Sequence, residues 1–278
     1  MQIALCHYSF HRRWKDEAWT AERLADEVKA LGVPAVDFHA RLLGSPADAS
    51  ARVRAALQRT GLVLSGLSLG NNFNAEKPEE FRAQVDTVKT WIGVAAELKA
   101  PVSRIFGGHL PAEKRADAAA KAAGRQRILD GLAEVVREAE RLDVVLALEN
   151  HGGLPCTGEE QVEVLRAINS PNLRATIDVG NYMQGNQEGH VGTTLAAAYA
   201  AYVHFKDFKK VADAAQPNGH RLEACVVGEG DVDHRRCLAA LRAAGYDGYV
   251  AIEYEGVEAE QTGVPKSVAF TRRVLGES

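Results

Sequence analysis

VVLALE (144–149), LRATID (173–178), AYVH (201–204) and YVAIE (249–253) are four apolar runs that each end on a metal-binding side chain. Their apolar, partly β-branched composition is that of strands buried on both faces, as in a parallel sheet. A terminal Glu or Asp on such a strand is costly unless its charge is compensated. Strands of a parallel barrel release their last residues onto one shared face. Glu149, Asp178, His204 and Glu253 can therefore meet at one point although 29, 26 and 49 residues separate them in turn. Three carboxylates and one imidazole form a donor set for a divalent metal ion. Taken singly, each residue also reads as a solvated or salt-bridged strand end; the set of four favours the metal.

The rest of the chain repeats this layout. Short apolar runs near 2–7, 34–38, 62–69, 102–106, 144–149, 174–178, 202–205 and 249–253 alternate with helical patterns. Leu24, Val28 and Leu31, and Ile128, Leu132, Val135, Ala139 and Leu142, recur at helical spacing and predict stripes packed on a sheet. Gly32, Pro171 and Gly245 punctuate helix ends. Eight strands in 278 residues predict an α/β protein, a (β/α)8 barrel forming a single domain over 1–278. The longest irregular stretch, 207–233, carries the polar tip DAAQPNGH and has the length of a functional loop.

Net charge is −4 and the pI about 6.2, which argues against a surface for nucleic acid and for a small uncharged substrate. Cys6, Cys156, Cys225 and Cys237 show no CxxC spacing, as in a reducing compartment. MQIALCHYSFHRRW lacks an apolar signal core, and no run approaches a membrane span. A cytoplasmic protein, free of membrane and open to homo-oligomerisation, is the expectation.

LALENHGG (146–153), ATIDVGNY (175–182), YVHFKDFK (202–209), VVGEGDVD (226–233) and GYDGYVAIEYEG (245–256) stand in the chain in that order. With GVPAVDFH (32–39), this set resembles the xylose isomerase-like barrels, a superfamily of sugar isomerases and epimerases that also contains endonuclease IV. The resemblance implies that Glu149, Asp178, His204 and Glu253 are metal ligands, and that Glu149 and Glu253 are the paired acid/base carboxylates. One departure is Asn181, where the superfamily often has His three residues after the aspartate. An amide cannot serve as a general base.

The chemistry that fits is proton transfer beside a sugar carbonyl through an enediolate, which requires a positioned base and charge stabilisation at oxygen. Mn²⁺ is the preferred ion, with Mg²⁺, Co²⁺ and Zn²⁺ as alternatives. Three carboxylates against one dication leave about −1, which favours an unphosphorylated ketose or aldose over a phosphorylated one. Lys206 shares the His204 face of its strand by the two-residue period. His151, His7, Asp37, His109 and Trp14 lie near strand ends, where they serve, with Lys206 and Asn181, as substrate contacts or else as ordinary caps, ion pairs and packing residues. Glu229 is assigned to orienting the His204 loop, and Glu255 to solvent. The alternatives are a dehydratase of a keto-polyol or keto-acid, an endonuclease IV-like repair enzyme, and a non-catalytic sugar-binding barrel.

Overall fold

The computed structural model describes residues 1–114, 117–216 and 218–276. Eight parallel strands close into a barrel: β1 (Gln2–Leu5), β2 (Ala35–His39), β3 (Val63–Ser68), β4 (Ser103–Phe106), β5 (Leu146–Glu149), β6 (Leu173–Asp178), β7 (Ala200–Phe205) and β8 (Tyr249–Ile252). Each neighbours the next in sequence, and β8 closes on β1 with Gln2 opposite Tyr249 and Leu5 opposite Ile252. Helices follow the strands because the chain between them carries apolar stripes and caps. Leu24 and Val28 of the helix Ala21–Ala30 are fully buried, while Leu31 is its C-cap and Gly32 turns the chain at φ +67°. Ile128, Leu132, Val135 and Ala139 bury one face of the helix Ala118–Leu142, which starts where Asp117 accepts from the Ala119 and Ala120 N–H groups.

Two apolar clusters result. The large one lies between barrel and helices. The small one fills the lumen with Ala4, Cys6, Ala35, Val102, Ala147, Tyr202 and Ala251. Tyr202 is the only bulky aromatic among them, and its hydroxyl meets Ser65 Oγ at 2.9 Å. Gly66 leaves the room: a Cβ there would come within 3.1 Å of Val102.

Two expectations change. The first strand stops at Leu5 rather than residue 7, and a 3₁₀ turn covers His7–Phe10, because Asp37 accepts from the His7 backbone N–H at 2.6 Å. The stretch 207–233 is not irregular throughout. Phe208–Ala212 pairs antiparallel with His220–Ala224 as a ribbon, while Pro217 in its tip lies outside the described residues. Among the described residues no helix is long and apolar enough to cross a membrane.

Candidate active site

One pleat step toward the C-terminal mouth from the lumen residues Ala35, Val102, Ala147, Tyr202 and Ala251 come Asp37, Arg104, Glu149, His204 and Glu253. The polar mouth is thus the next layer of the lumen. Glu149 pairs in register with Thr176, and Asp178 with His204, while the Glu253 N–H donates to the Phe205 carbonyl at 2.9 Å. A ligand atom from each of Glu149, Asp178, His204 and Glu253 lies within 4.8 Å of those from the others, and all four residues are buried. The two glutamates flank Asp178 and His204 along one arc of the ring.

Each of the four carries a buried polar atom without a geometrically competent hydrogen bond: Glu149 Oε2, Asp178 Oδ2, Glu253 Oε2 and both His204 ring nitrogens. A buried polar atom left so costs about 1–3 kcal/mol. One ligand atom from each of the four residues, gathered within 4.8 Å of the others, fits a divalent cation. Asp178 shows the division of labour: its Oδ1 accepts from the Gly180 and Asn181 N–H groups at 2.9 and 3.0 Å, leaving Oδ2 for the centre.

Cations surround the cluster. Lys206 Nζ lies 2.9 Å from Glu253 Oε2, 3.2 Å from Asp178 Oδ2 and 3.2 Å from Glu255 Oε1. Arg104 Nε is 3.2 Å from Glu149 Oε2, and its guanidinium stacks on Phe106 at 4.2 Å. Burial pushes the Asp178 carboxyl up to about 8, with Lys206 offsetting only part of the effect. Burial opposes charge on His204, but Glu253 and Glu149 outweigh it and hold the imidazole up at about 9. Burial likewise opposes charge on Glu253, yet Lys206 and His204 hold it well below the usual carboxylate range.

The remaining candidates divide. Asn181 donates from Nδ2 to Glu149 Oε1 at 3.3 Å and accepts at Oδ1 from Lys206 at 3.4 Å, so its amide ties a carboxylate to an ammonium. His7 and His151 line a cavity of about 190 Å³ together with Arg104, Glu253 and Glu255. His151 stacks on Phe106 at 4.3 Å, and burial lowers its imidazole below the ordinary value. Asp37 lies beneath His7, fully buried. His109 is exposed in a two-residue strand opposite Gly153 and lines a different cleft, with Asn72 and Asn74. Trp14 packs half-buried on the helix-side core, and the cavity is lined without it. Glu255 is not left to solvent, being paired with Lys206. The sequence reading passed over Arg104, Tyr8, His39 and Arg41, which also line the cavity. An arginine inside the apolar strand SRIF was the one available signal.

Glu229, assigned to orienting the His204 loop, is exposed, and Asp207 orders the turn Gly228–Gly230 instead. Asp207 Oδ2 accepts from the Gly228 and Gly230 N–H groups at 2.8 and 3.0 Å, and Oδ1 from those of Phe208 and Val232 at 2.9 and 3.2 Å. Replacing it orphans four N–H groups. Asp207→Ala is expected to destabilise the fold by about 2–4 kcal/mol, read by denaturant unfolding. A loss below about 0.5 kcal/mol would show the loop to be held otherwise.

A closed parallel barrel with a carboxylate–imidazole quartet at its C-terminal mouth has the layout of a (β/α)8 catalytic domain. The chain belongs to the xylose isomerase-like TIM barrel family, whose model matches residues 25–274. Divalent metals are bound by members of this family. L-ribulose-5-phosphate 3-epimerase UlaE of Escherichia coli (strain K12) is 29% identical over 137 residues, 49% of this chain and 45% of that protein. Inosose dehydratase of Bacillus licheniformis is 29% identical over 146 residues, 47% of this chain and 46% of the relative. The matched part thus spans less than half the length of either curated relative. The structure of a D-tagatose 3-epimerase-like protein shares the fold, with a TM-score of 0.78 at 19% identity over 99% of this chain and 97% of that one.

Proposed function

We propose that the protein is a divalent-metal-dependent sugar epimerase or isomerase that works by proton transfer at the carbon beside a carbonyl. The observation that carries this reading is the convergence of four buried ligand atoms, one each from Glu149, Asp178, His204 and Glu253, within 4.8 Å of one another. These four residues would hold the ion, Mn²⁺ by preference, with Mg²⁺, Co²⁺ or Zn²⁺ accepted. When bound, the ion supplies positive charge against the oxygens of a carbonyl and a neighbouring hydroxyl. Glu149 and Glu253, with two strands between them, approach a substrate carbon from separate directions, so that one takes its proton and the other returns one. Lys206 keeps Glu253 ionised, and Arg104 with Asn181 fixes Glu149.

The test is wash-in of solvent deuterium at the reacting carbon of a ketose; a protein that takes up metal yet labels none of a broad panel of ketoses, aldoses and keto-polyols would overturn the reading. Elimination of water is the second reading, favoured by the dehydratase relative. Cys6, Cys225 and Cys237 are buried free thiols, which fits a reducing cytoplasm. Nucleic acid is excluded from the proposed substrates by the net charge of −4 and by Asn181. Incision of abasic-site DNA by the metal-loaded protein is expected to be at background in a gel assay, and cleavage as fast as its best sugar reaction would reverse this.

A further inference from the structure

Proton transfer at the quartet leaves unused a second buried pair in the same mouth. His7 follows β1 and Asp37 lies in β2, with relative exposures of 1% and 0%. His7 Nδ1 lies 3.1 and 3.2 Å from the two Asp37 oxygens, Asp37 also accepts from the His7 backbone N–H at 2.6 Å, and Ser68 Oγ donates to it as well. Burial opposes the charge on Asp37, yet His7 and Ser68 hold it well below the usual carboxylate range. An ionised carboxylate only accepts, so Nδ1 carries a hydrogen. Nε2 is then the remaining functional atom of the ring, without a hydrogen-bond partner among the described residues, and the ring lines the cavity that Glu253 and Arg104 also line. Cys6 Sγ lies 3.6 Å from His7 Nδ1 and 3.8 Å from Glu253 Oε1, so the pair abuts the quartet. A buried carboxylate that fixes an imidazole tautomer and turns the other nitrogen to substrate is the orienting half of a Ser-His-Asp triad.

We propose that His7, oriented by Asp37, is a third acid–base group that protonates a substrate hydroxyl β to the carbonyl, so that the site eliminates water from a keto-polyol as well as exchanging its carbon-bound hydrogen. The inference rests on the carbon proton transfer proposed above. The steps balance. A glutamate carboxylate takes the proton from the carbon beside the carbonyl. The electron pair left there forms a carbon–carbon double bond as the neighbouring carbon–oxygen bond breaks. The Nε2 proton of the His7 imidazolium joins the departing oxygen, which leaves as water, and Nδ1–H stays on Asp37. Solvent then takes the proton from the glutamate and returns one to Nε2, so no oxidant or further reactant is required.

The experiment incubates metal-reconstituted wild type, His7→Gln and Asp37→Asn in D₂O with an inosose and with D-fructose as probes. NMR reads carbon deuteration and the elimination product in the same sample. Wild type is expected to give both with at least one probe. His7→Gln should lower elimination by about 10²-fold or more, the scale of a positioned general acid, and deuteration by less than about tenfold. Asp37→Asn should move the ratio of the two in the same direction. Equal loss of both reactions would show a merely structural pair and overturn the proposal, as would a wild type that deuterates without eliminating. A wild type that deuterates neither probe overturns this inference, and labelling across the broader panel of ketoses, aldoses and keto-polyols decides whether the carbon-exchange step beneath it falls too. Should Asp37→Asn fail to fold, long-range ¹H–¹⁵N spectra of the metal-free wild type still decide. With His7 assigned by its loss in His7→Gln, Nδ1 is expected to be protonated; a ring protonated at Nε2 only would sink the orientation by Asp37.

Discussion

Chelator-treated protein is expected to bind one Mn²⁺ per chain, and Asp178→Asn to weaken that binding by about 10²-fold or more. Oδ1 of Asp178 is engaged by two backbone N–H groups, so Oδ2, 3.2 Å from Lys206 Nζ, is the oxygen turned to the centre, and an amide there offers no negative charge. The binding also has a thermal signature. An ion at about 100 times its Kd stabilises the folded state by about 2.7 kcal/mol. For a chain of this size that raises Tm by roughly 5–10 °C. Asp178→Asn should lose most of the rise while keeping the fold, because the Gly180 and Asn181 N–H groups retain an acceptor in the amide oxygen. Calorimetric titration and a melting series with Mn²⁺, Mg²⁺, Co²⁺ and Zn²⁺ would check both. An unchanged shift in the variant, or no shift with any of the four ions in the wild type, would rule out the quartet as the metal site.

The four proposed ligands were legible as strand ends because strand chemistry is local: an apolar run ending in Glu, Asp or His declares both the strand and the direction of its last side chain. Lys206 followed from the same two-residue period, and the structure buries it with its ammonium against three carboxylates. Arg104 was not legible in this way. Its role depends on β4 lying beside β5, where Arg104 pairs with Ala147 and reaches the Glu149 carboxylate two residues further on. Glu255 was assigned to solvent for the same reason, since its partner arrives from β7. The ribbon 208–224 was missed because FKKVA and HRLEA lack a continuous apolar face and pair mainly through backbone.

These omissions change an electrostatic argument. Three carboxylates and a dication leave a negative excess, which favoured an unphosphorylated substrate. The fold adds the cations Lys206, Arg104 and Arg41 and the carboxylates Glu255 and Asp37, so the formal charges of the metal-loaded mouth balance. Repulsion of a phosphate by the cluster is then no longer a ground for choosing between sugars.

In D₂O the metal-loaded protein is expected to place deuterium at the reacting carbon of its ketose, and Glu149→Gln and Glu253→Gln are each expected to lower turnover by about 10²-fold or more. Both carboxylates are also proposed ligands, so bound metal must be measured in each variant before the loss is assigned to proton transfer. The surroundings of the two glutamates make the comparison informative. Glu253 is held ionised by Lys206 and His204, whereas Glu149 rests against Arg104 and the Asn181 amide. If each serves one face of the carbon, a variant that retains its metal should still exchange hydrogen from the epimer whose proton faces the intact glutamate, while interconversion of the two epimers falls. Isotope exchange measured from both epimers separates this from simple loss of the ion, which would remove exchange from both together. Product formed with no deuterium at any carbon would point to hydride transfer between neighbouring carbons. The acid/base assignment of Glu149 and Glu253 would then fall even if both remained metal ligands.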